Sequence, residues 1–522
     1  VIDKERFNWL PLAILASAQV LLVFNIATLK ISIEGIITAF ETGSGMVKTA
    51  IVMYSLMVAA SILASTRLAI IFGARRVFRI SIALFGAAMA LMAWTPHASV
   101  LVIAQMTAGA AAAVLMPASV RLIATHYAEE QRTLALGRLS AARSLSLAPA
   151  FLIAGALATW NSWRMTFVLL FFLAAAVYFC SSYLRKDPGL LPGARLTESE
   201  MGGLAMVALA VLLIGLSTDN ITNWGMVRAR PAAPFSLFNL SPALLGTLFG
   251  VVLIKVVLLW MVRRHVGGCL RVMGLLNTPI QRSMLLSIFT IAAVSSGVTF
   301  LIPLYTEIVQ GRSSLATAYA LVPFTTGSFI GALFVNRFGT PATMRRATRL
   351  AFLAVGTGLV LLGAIVRNDW SDASVVLSLA TIGLGEGALA TLLFKMLAAL
   401  VPTELSEDVE PFCSATSHFA AAVGAAIAGA LVISVLSLNI NRHLASDPAI
   451  GTELRAHLDL SRVAFISNDR LQQVLEQLPL PPEHVANAVR INTDARLFAL
   501  KLSFFGLAGL TFLGFLPVAR SR

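Results

Sequence analysis

The sequence predicts an all-α integral membrane protein of about fourteen transmembrane helices. Three observations carry that reading. Of 522 residues, 58% are hydrophobic and only 12% are charged, with a mean hydropathy of +0.84, whereas soluble domains carry about 25% charged residues. Apolar stretches near the roughly 20 residues that a helix needs to cross a bilayer recur along almost the whole chain. Short basic clusters separate these stretches and fall on alternate loops, as topology signals do.

Val1 to Arg6 lead into an apolar run at Trp9. The run lacks an A-x-A-like cleavage site and is too long for a signal-peptide core, so it reads as a retained first helix, and the start at Val1 reads as trimmed or processed. The first six predicted spans are Asn8 to Lys30, Met46 to Ile71, Val77 to Trp94, Ser99 to Thr125, Leu134 to Ala158 and Trp163 to Leu184. Met201 to Ser217 and Pro242 to Val262 follow, then Met284 to Thr306 and Ser314 to Phe338. Leu350 to Val366, Val375 to Leu400, Pro411 to Leu436 and Leu497 to Leu516 complete the set.

Both termini then face one side. Taken as cytoplasmic, that side carries Arg75 and Arg76, Arg132, Arg185 and Lys186, Arg263 and Arg264, Arg345 and Arg346, and Arg520 and Arg522, which satisfies the positive-inside rule. The acidic stretch Glu404 to Glu410 on the same side does not overturn this, because acids contribute little to the rule. The expected location is a bacterial inner membrane, multi-pass, with both termini cytoplasmic.

The sizeable non-membrane piece is the outward segment Asn439 to Asp494, about residues 439–495, in which acids outnumber bases. Ser467 to Gln477, followed by Pro479, Pro481 and Pro482, reads as a short helix, a break and a second short helix. The segment caps the external mouth, docks a protein partner or is simply a solvated hairpin.

The formal charge of +14 raises the question of nucleic acid, but the basic residues sit at the ends of apolar segments without interleaved aromatics, so no nucleic-acid partner is expected. Cys180, Cys269 and Cys413 are far apart and lack metal-ligand spacing, so neither a metal nor a disulfide framework is expected. No Walker loop, HExxH, GxSxG elbow or Rossmann GxGxxG is present. The residues therefore point away from an enzyme, a cofactor and a self-contained ATP-driven pump, and toward energy drawn from gradients.

Phe72-Gly73-Ala74-Arg75-Arg76 after the second helix is answered by Phe338-Gly339 to Arg345-Arg346 after the tenth. Helices one to six (1–187) and nine to fourteen (281–522) thus read as two six-helix bundles related by pseudo-two-fold symmetry, with two extra central helices (188–280) between them. That is the plan of a transporter whose site lies between its halves. Further motifs are Ser162-Trp163-Arg164 with Phe167 before helix six, and Gly109 and Pro117 in helix four. Pro303-Leu304-Tyr305, Gln310-Gly311 and Pro323 open the second half, and Gly424 to Gly429 lie in helix thirteen.

On these residues the sequence resembles the major facilitator superfamily, in particular its fourteen-helix branch of drug and proton antiporters, over nearly the whole chain. The resemblance implies a multidrug efflux antiporter of the inner membrane. Departures fall on the polar positions that the family uses for gating and proton coupling. Where the resemblance implies an acid in helix one, the chain has Asn25, and where it implies a fourth-helix arginine, it has Gln105. The Asp of the loop motif is replaced by Ile70 in Thr66-Arg67-Leu68-Ala69-Ile70-Ile71-Phe72-Gly73-Ala74-Arg75, and the helix-five motif survives as Ala148-Pro149 with Gly155.

A charge inside a membrane costs roughly 2.5 to 3.5 kcal/mol on insertion scales, so each intramembrane ionisable residue is a functional candidate. Glu386, in Gly383-Leu384-Gly385-Glu386-Gly387, is the first choice, either as a proton or substrate contact or as a structural partner of Arg143. Asn25 and Gln105 are hydrogen-bonding candidates for substrate or a neighbouring helix. Arg143 is an anion contact or snorkels to the interface, and His418 is a titrating group or a packing residue. Lys30 and Glu34, four apart, form an outer-end ion pair if the first helix continues through them. Arg67, Gly73, Arg75 and Arg76 form a loop that gates the inner side or sets topology. The leading expectation is a secondary transporter that moves a small lipophilic or amphipathic compound by alternating access through a mainly apolar cavity, by proton-coupled export. The alternative is a non-transporting sensor or scaffold acting through the outward segment. A small-molecule substrate and membrane lipids are the expected partners.

Overall fold

The computed structural model describes residues 8–40, 44–185, 197–264, 278–338, 340–367, 373–401, 406–446 and 482–520, with short pieces at 274, 276, 471–473 and 476. Among these residues fourteen helices are long and apolar enough to cross a membrane. They are α1 (Trp9–Ile31), α2 (Gly45–Phe72), α3 (Ala74–Trp94), α4 (Ala98–His126), α5 (Glu129–Trp160), α6 (Trp163–Tyr183) and α7 (Glu200–Asp219). The rest are α8 (Pro242–Trp260), α9 (Pro279–Val309), α10 (Ser314–Phe334), α11 (Pro341–Ile365), α12 (Ala373–Ala398), α13 (Val409–Leu436) and α14 (Val485–Phe515). A helix satisfies its backbone polar groups internally, which hydrocarbon demands. Each predicted span has its counterpart here.

Packing repeats with an offset of eight helices. In the first half α1 packs on α5, α2 on α4, α3 on α4, and α3 on α6. In the second half α9 packs on α13, α10 on α12, α11 on α12, and α11 on α14. The two most extensive contacts between the halves, α2 with α13 and α5 with α10, exchange with each other under the same offset. The architecture is therefore two six-helix bundles in pseudo-two-fold relation, the form expected of repeat-built transporters.

Two prolines shape the helices near the centre. The helix of α5 breaks at Ser146, between Glu129–Leu145 and Leu147–Trp160. Pro149 lacks an N–H and its ring meets the carbonyl four residues back, which accounts for the break. Pro303 ends the regular part of α9, and Leu304–Val309 form a π-helical turn. Single π turns inside helices commonly mark functional positions.

The outward segment departs from expectation. The helix containing α13 continues to Ser446, and that of α14 begins at Pro482 as one 39-residue helix. The second short helix is thus the start of the last long one, with Pro482 at a first-turn position where its missing N–H costs nothing. Residues 447–470 lie outside the described residues, as do Lys186, Cys269 and Gly339 of the sequence reading.

The inserted pair α7 and α8 pack on each other, and α7 also packs on α2 and α13. Two ion pairs fasten α7 to α2, one near each end. Arg67 Nη2 meets Glu200 Oε1 at 3.1 Å, and Lys48 Nζ meets Asp219 Oδ1 at 3.1 Å with both side chains almost fully buried. Thr49 donates to Asp219 Oδ2 at 2.7 Å, and Lys48 donates to the Asp219 carbonyl at 2.8 Å.

Removing one partner of a buried pair leaves an unpaired charge. Asp219→Ala is expected to destabilise the protein by about 3–5 kcal/mol. The double variant Lys48→Met with Asp219→Leu should recover most of that loss, read as the thermal midpoint of the purified protein in detergent. Equal midpoints for the single and double variants would show that the pair does not act as a unit.

Candidate functional site

A cavity of about 610 Å³ lies between the two halves. Its deep end is formed by Lys30 and Thr299, its middle by Gln105 and Glu386, and its other end by Arg143, Glu410 and Cys413. Glu410 and Cys413 belong to the end of α13 that lies near the face carrying Arg75 and Arg132, called the basic face below, and Arg143 stands midway along α5, just before its break.

At the opposite face the halves are closed against each other. The Leu147–Trp160 part of α5 packs on α10, where a β-carbon at Gly155 would stand 2.7 Å from the Ser314 carbonyl oxygen. Thr159 Oγ1 accepts from the Leu315 amide at 3.0 Å. The short helix Ile33–Phe40 meets the π turn of α9, and the Glu34 amide donates to Glu307 Oε2 at 3.2 Å. The cavity thus reaches toward the basic face and is blind at the other.

Glu386 lines the cavity from α12. A β-carbon at Gly383 would run into the Phe324 carbonyl and one at Gly387 into that of Ser328, so bare glycine lets α10 and α12 touch backbone to backbone. This close approach delivers Ser328, whose Oγ donates to Glu386 Oε2 at 2.5 Å. Glu386 does not pair with Arg143; its carboxylate accepts from Ser328, and the ion pairs identified lie elsewhere, at Lys48–Asp219 and Arg67–Glu200.

Asn25 and Gln105, both fully buried, hold each other. Asn25 Nδ2 donates to Gln105 Oε1 and Gln105 Nε2 donates to Asn25 Oδ1, both at 3.0 Å. This reciprocal amide pair binds α1 to α4 without net charge. His418 lines the cavity from α13 and packs edge-on against Tyr54 of α2, with centroids 6.5 Å apart. Arg143 lines it from α5, and Arg138 stacks over Trp9 at 4.2 Å instead of entering it.

The outer-end pairing of Lys30 with Glu34 is corrected. The first helix stops at Ile31 with Ser32 at φ −105, ψ 15, and Glu34 belongs to the next short helix. The common helical face is lost, and Lys30 Nζ instead donates to Thr299 Oγ1 at 2.6 Å on the cavity wall. The loop arginines find partners away from the second bundle: Arg67 pairs with Glu200 of α7, and Arg75 donates to the Ser182 carbonyl at 2.6 Å. Arg76 is exposed, and Gly73 takes φ +83 as the chain turns into α3.

The cavity is mainly apolar in the surface that it exposes, as expected: Ile26, Leu29, Ile51, Ile288 and Ile291 form an apolar flank, and hydroxyls such as those of Ser295, Ser296 and Thr299 interrupt it. Sequence reading missed Glu307, Lys48 and Asp219 because each sits within two or three residues of a predicted span end. For Lys48 and Glu307 the signal was a charged residue that the apolar run continues past.

The family model described as the Major Facilitator Superfamily matches residues 15–425. The chain belongs to the Major Facilitator Superfamily. It is 26% identical over 446 residues to "Multidrug efflux pump LfrA" of Mycolicibacterium smegmatis, covering 83% of this chain and 82% of that one. It is 22% identical over 450 residues to "Multidrug resistance protein Stp" of Mycobacterium tuberculosis, covering 84% and 78%. Among solved structures it shares the fold of a bacterial homologue of the human lysosomal transporter Spinster, with TM-score 0.60, 13% identity and 96% of each chain covered.

In this superfamily member the amide pair occupies the two positions where an acid and an arginine are implied. Asn25→Asp alone places an unpaired carboxylate at a fully buried site and is expected to cost on the order of 3 kcal/mol. Adding Gln105→Arg supplies the opposite charge and should restore most of the thermal stability. A double variant no more stable than Asn25→Asp would contradict this account of the pair.

Proposed function

We propose that this protein is a secondary transporter that exports a small amphipathic compound across the bacterial inner membrane by alternating access. The observation that carries the reading is the cavity between the halves, which reaches one face and is blind at the other. A volume of about 610 Å³ falls within the roughly 300–1,000 Å³ of small-molecule sites. The positive-inside rule supports the basic face as cytoplasmic, with both termini there. The efflux and resistance names of the mycobacterial relatives support export of drug-like compounds.

Glu386 is the proposed proton carrier. As a carboxylate it requires hydration or hydrogen bonds, which Ser328 and the open cavity supply. Once protonated it is neutral and can be enclosed when the halves close around it. Proton occupancy then biases which closed arrangement is favoured, which is what coupling requires. Arg143 and His418, lining the same cavity from α5 and α13, are proposed substrate contacts on the cytoplasmic side.

The test is movement of lipophilic cations, neutral drugs and lipids in proteoliposomes under an imposed pH gradient. The native chain is expected to move at least one of these classes, and Glu386→Gln should abolish gradient-driven movement while leaving substrate exchange without a gradient. A correctly folded native chain that moves none of them would sink the transport reading, and a variant as active as the native chain would remove Glu386 from the coupling step.

A further inference from the structure

Lys30 stands at the blind end of the cavity, in the last turn of α1, with 7% of its surface exposed. Its ammonium carries three donors and makes one hydrogen bond among the described residues, to Thr299 Oγ1 at 2.6 Å. Thr299 donates its own proton to the Ser295 carbonyl at 2.8 Å, so its oxygen is fixed as an acceptor and aims the ammonium. No carboxylate among the described residues lies within ion-pair reach of Lys30, whereas Lys48 and Arg67 each have one. Glu34 is on the far side of the Ser32 break, and Glu386 accepts from Ser328.

A cation enclosed in a membrane protein with donors to spare is an energetic liability unless something anionic meets it. The cavity provides an open approach to this ammonium. Ile26, Leu29 and Ile291 flank it, and Ser296 adds a hydroxyl on the same wall. We propose that Lys30, positioned by Thr299, is the subsite for a carboxylate or sulfonate group of the transported compound, whose apolar body lies along α1 and α9. The proposal rests on the transport reading and narrows its substrate to amphipathic anions or zwitterions. An acid arriving here forms charge-assisted hydrogen bonds in a low-dielectric pocket, the setting in which such bonds are strongest.

The experiment compares dansyl-phenylalanine with its methyl ester, which differ by one negative charge. Binding to the full chain in nanodiscs of zwitterionic lipid is measured for the native protein, Lys30→Met, Lys30→Arg and Thr299→Val. The native chain is expected to bind the acid about tenfold more tightly than the ester, the scale of one hydrogen-bonded charge contact. Lys30→Met should bring that ratio to about one with ester affinity within about twofold of native, and Lys30→Arg should keep most of the preference. Thr299→Val keeps the charge and frees its aim, so it should reduce the preference in part and serves if Lys30→Met does not fold.

An undiminished acid preference in Lys30→Met, or in Thr299→Val where that variant stands in, overturns the subsite. Tight ester binding without any acid preference in the native chain overturns the subsite alone and leaves the transport reading intact. If neither probe nor tetraphenylphosphonium binds the native chain, the subsite falls together with that reading.

Discussion

Charge in a low-dielectric interior is the constraint on which the rest of this structure depends. Enclosing an ion costs several kcal/mol unless a partner or water meets it, and the chain answers in three ways. Lys48 and Asp219 are enclosed as a pair, which fixes the inserted helix α7 to α2. Asn25 and Gln105 carry no charge and satisfy each other. Lys30 and Glu386 face the cavity, one from each half. The charges that hold the architecture are thus separated from those left open for chemistry, and the separation follows from the distribution of partners alone.

Hydrocarbon also removes the hydrophobic drive for helices to associate, so close packing must come from small residues that let backbones touch. The α10–α12 seam is built this way, with Gly383 and Gly387 against the carbonyls of Phe324 and Ser328. The seam has a chemical consequence beyond packing. Because Gly387 follows Glu386 directly, the contact that joins the helices also sets Ser328 on the carboxylate. A larger residue at 387 would separate the two helices and remove the hydrogen bond at once, so the packing and the candidate coupling site are one feature of the sequence.

Most of the architecture was legible because its signals are long and one-dimensional. Apolar runs fix the number of helices, and basic residues on alternate loops carry only the proposed sense. Glu386 was legible for the same reason, standing as an isolated acid in the middle of an apolar run. Asn25 and Gln105 were each readable as departures from a family pattern, but not as partners: they are 80 residues apart in sequence, and only packing of α1 on α4 brings them together. The reading of Lys30 failed at a helix boundary. A break at Ser32 rotates Glu34 away and leaves the ammonium on the cavity wall. Charges at span ends look interfacial in sequence, and only the crossing of other helices over that end decides whether they are buried.

The contacts that close the blind end bear on whether that closure can reverse. Where α5 meets α10, and where the Ile33–Phe40 helix meets α9, the identified polar contacts are an amide to Thr159 and an amide to Glu307. Hydrogen bonds of this kind contribute only about 1 kcal/mol each net of solvent. The ion pairs instead lie between α2 and α7, outside the surfaces that part when the halves rock. On the proposed alternating-access reading, strong interactions therefore keep α7 with the first half, while packing and hydrogen bonds contribute to the seal. Glu307 is fully buried in the π turn, with Oε2 on the Glu34 amide and no hydrogen-bond partner identified for Oε1. Opening this end would expose that carboxylate to water, so part of what is lost in breaking the seal is regained as hydration of Glu307. Weak contacts over a buried acid are individually easy to break, which suits a transporter that must pass repeatedly between two arrangements.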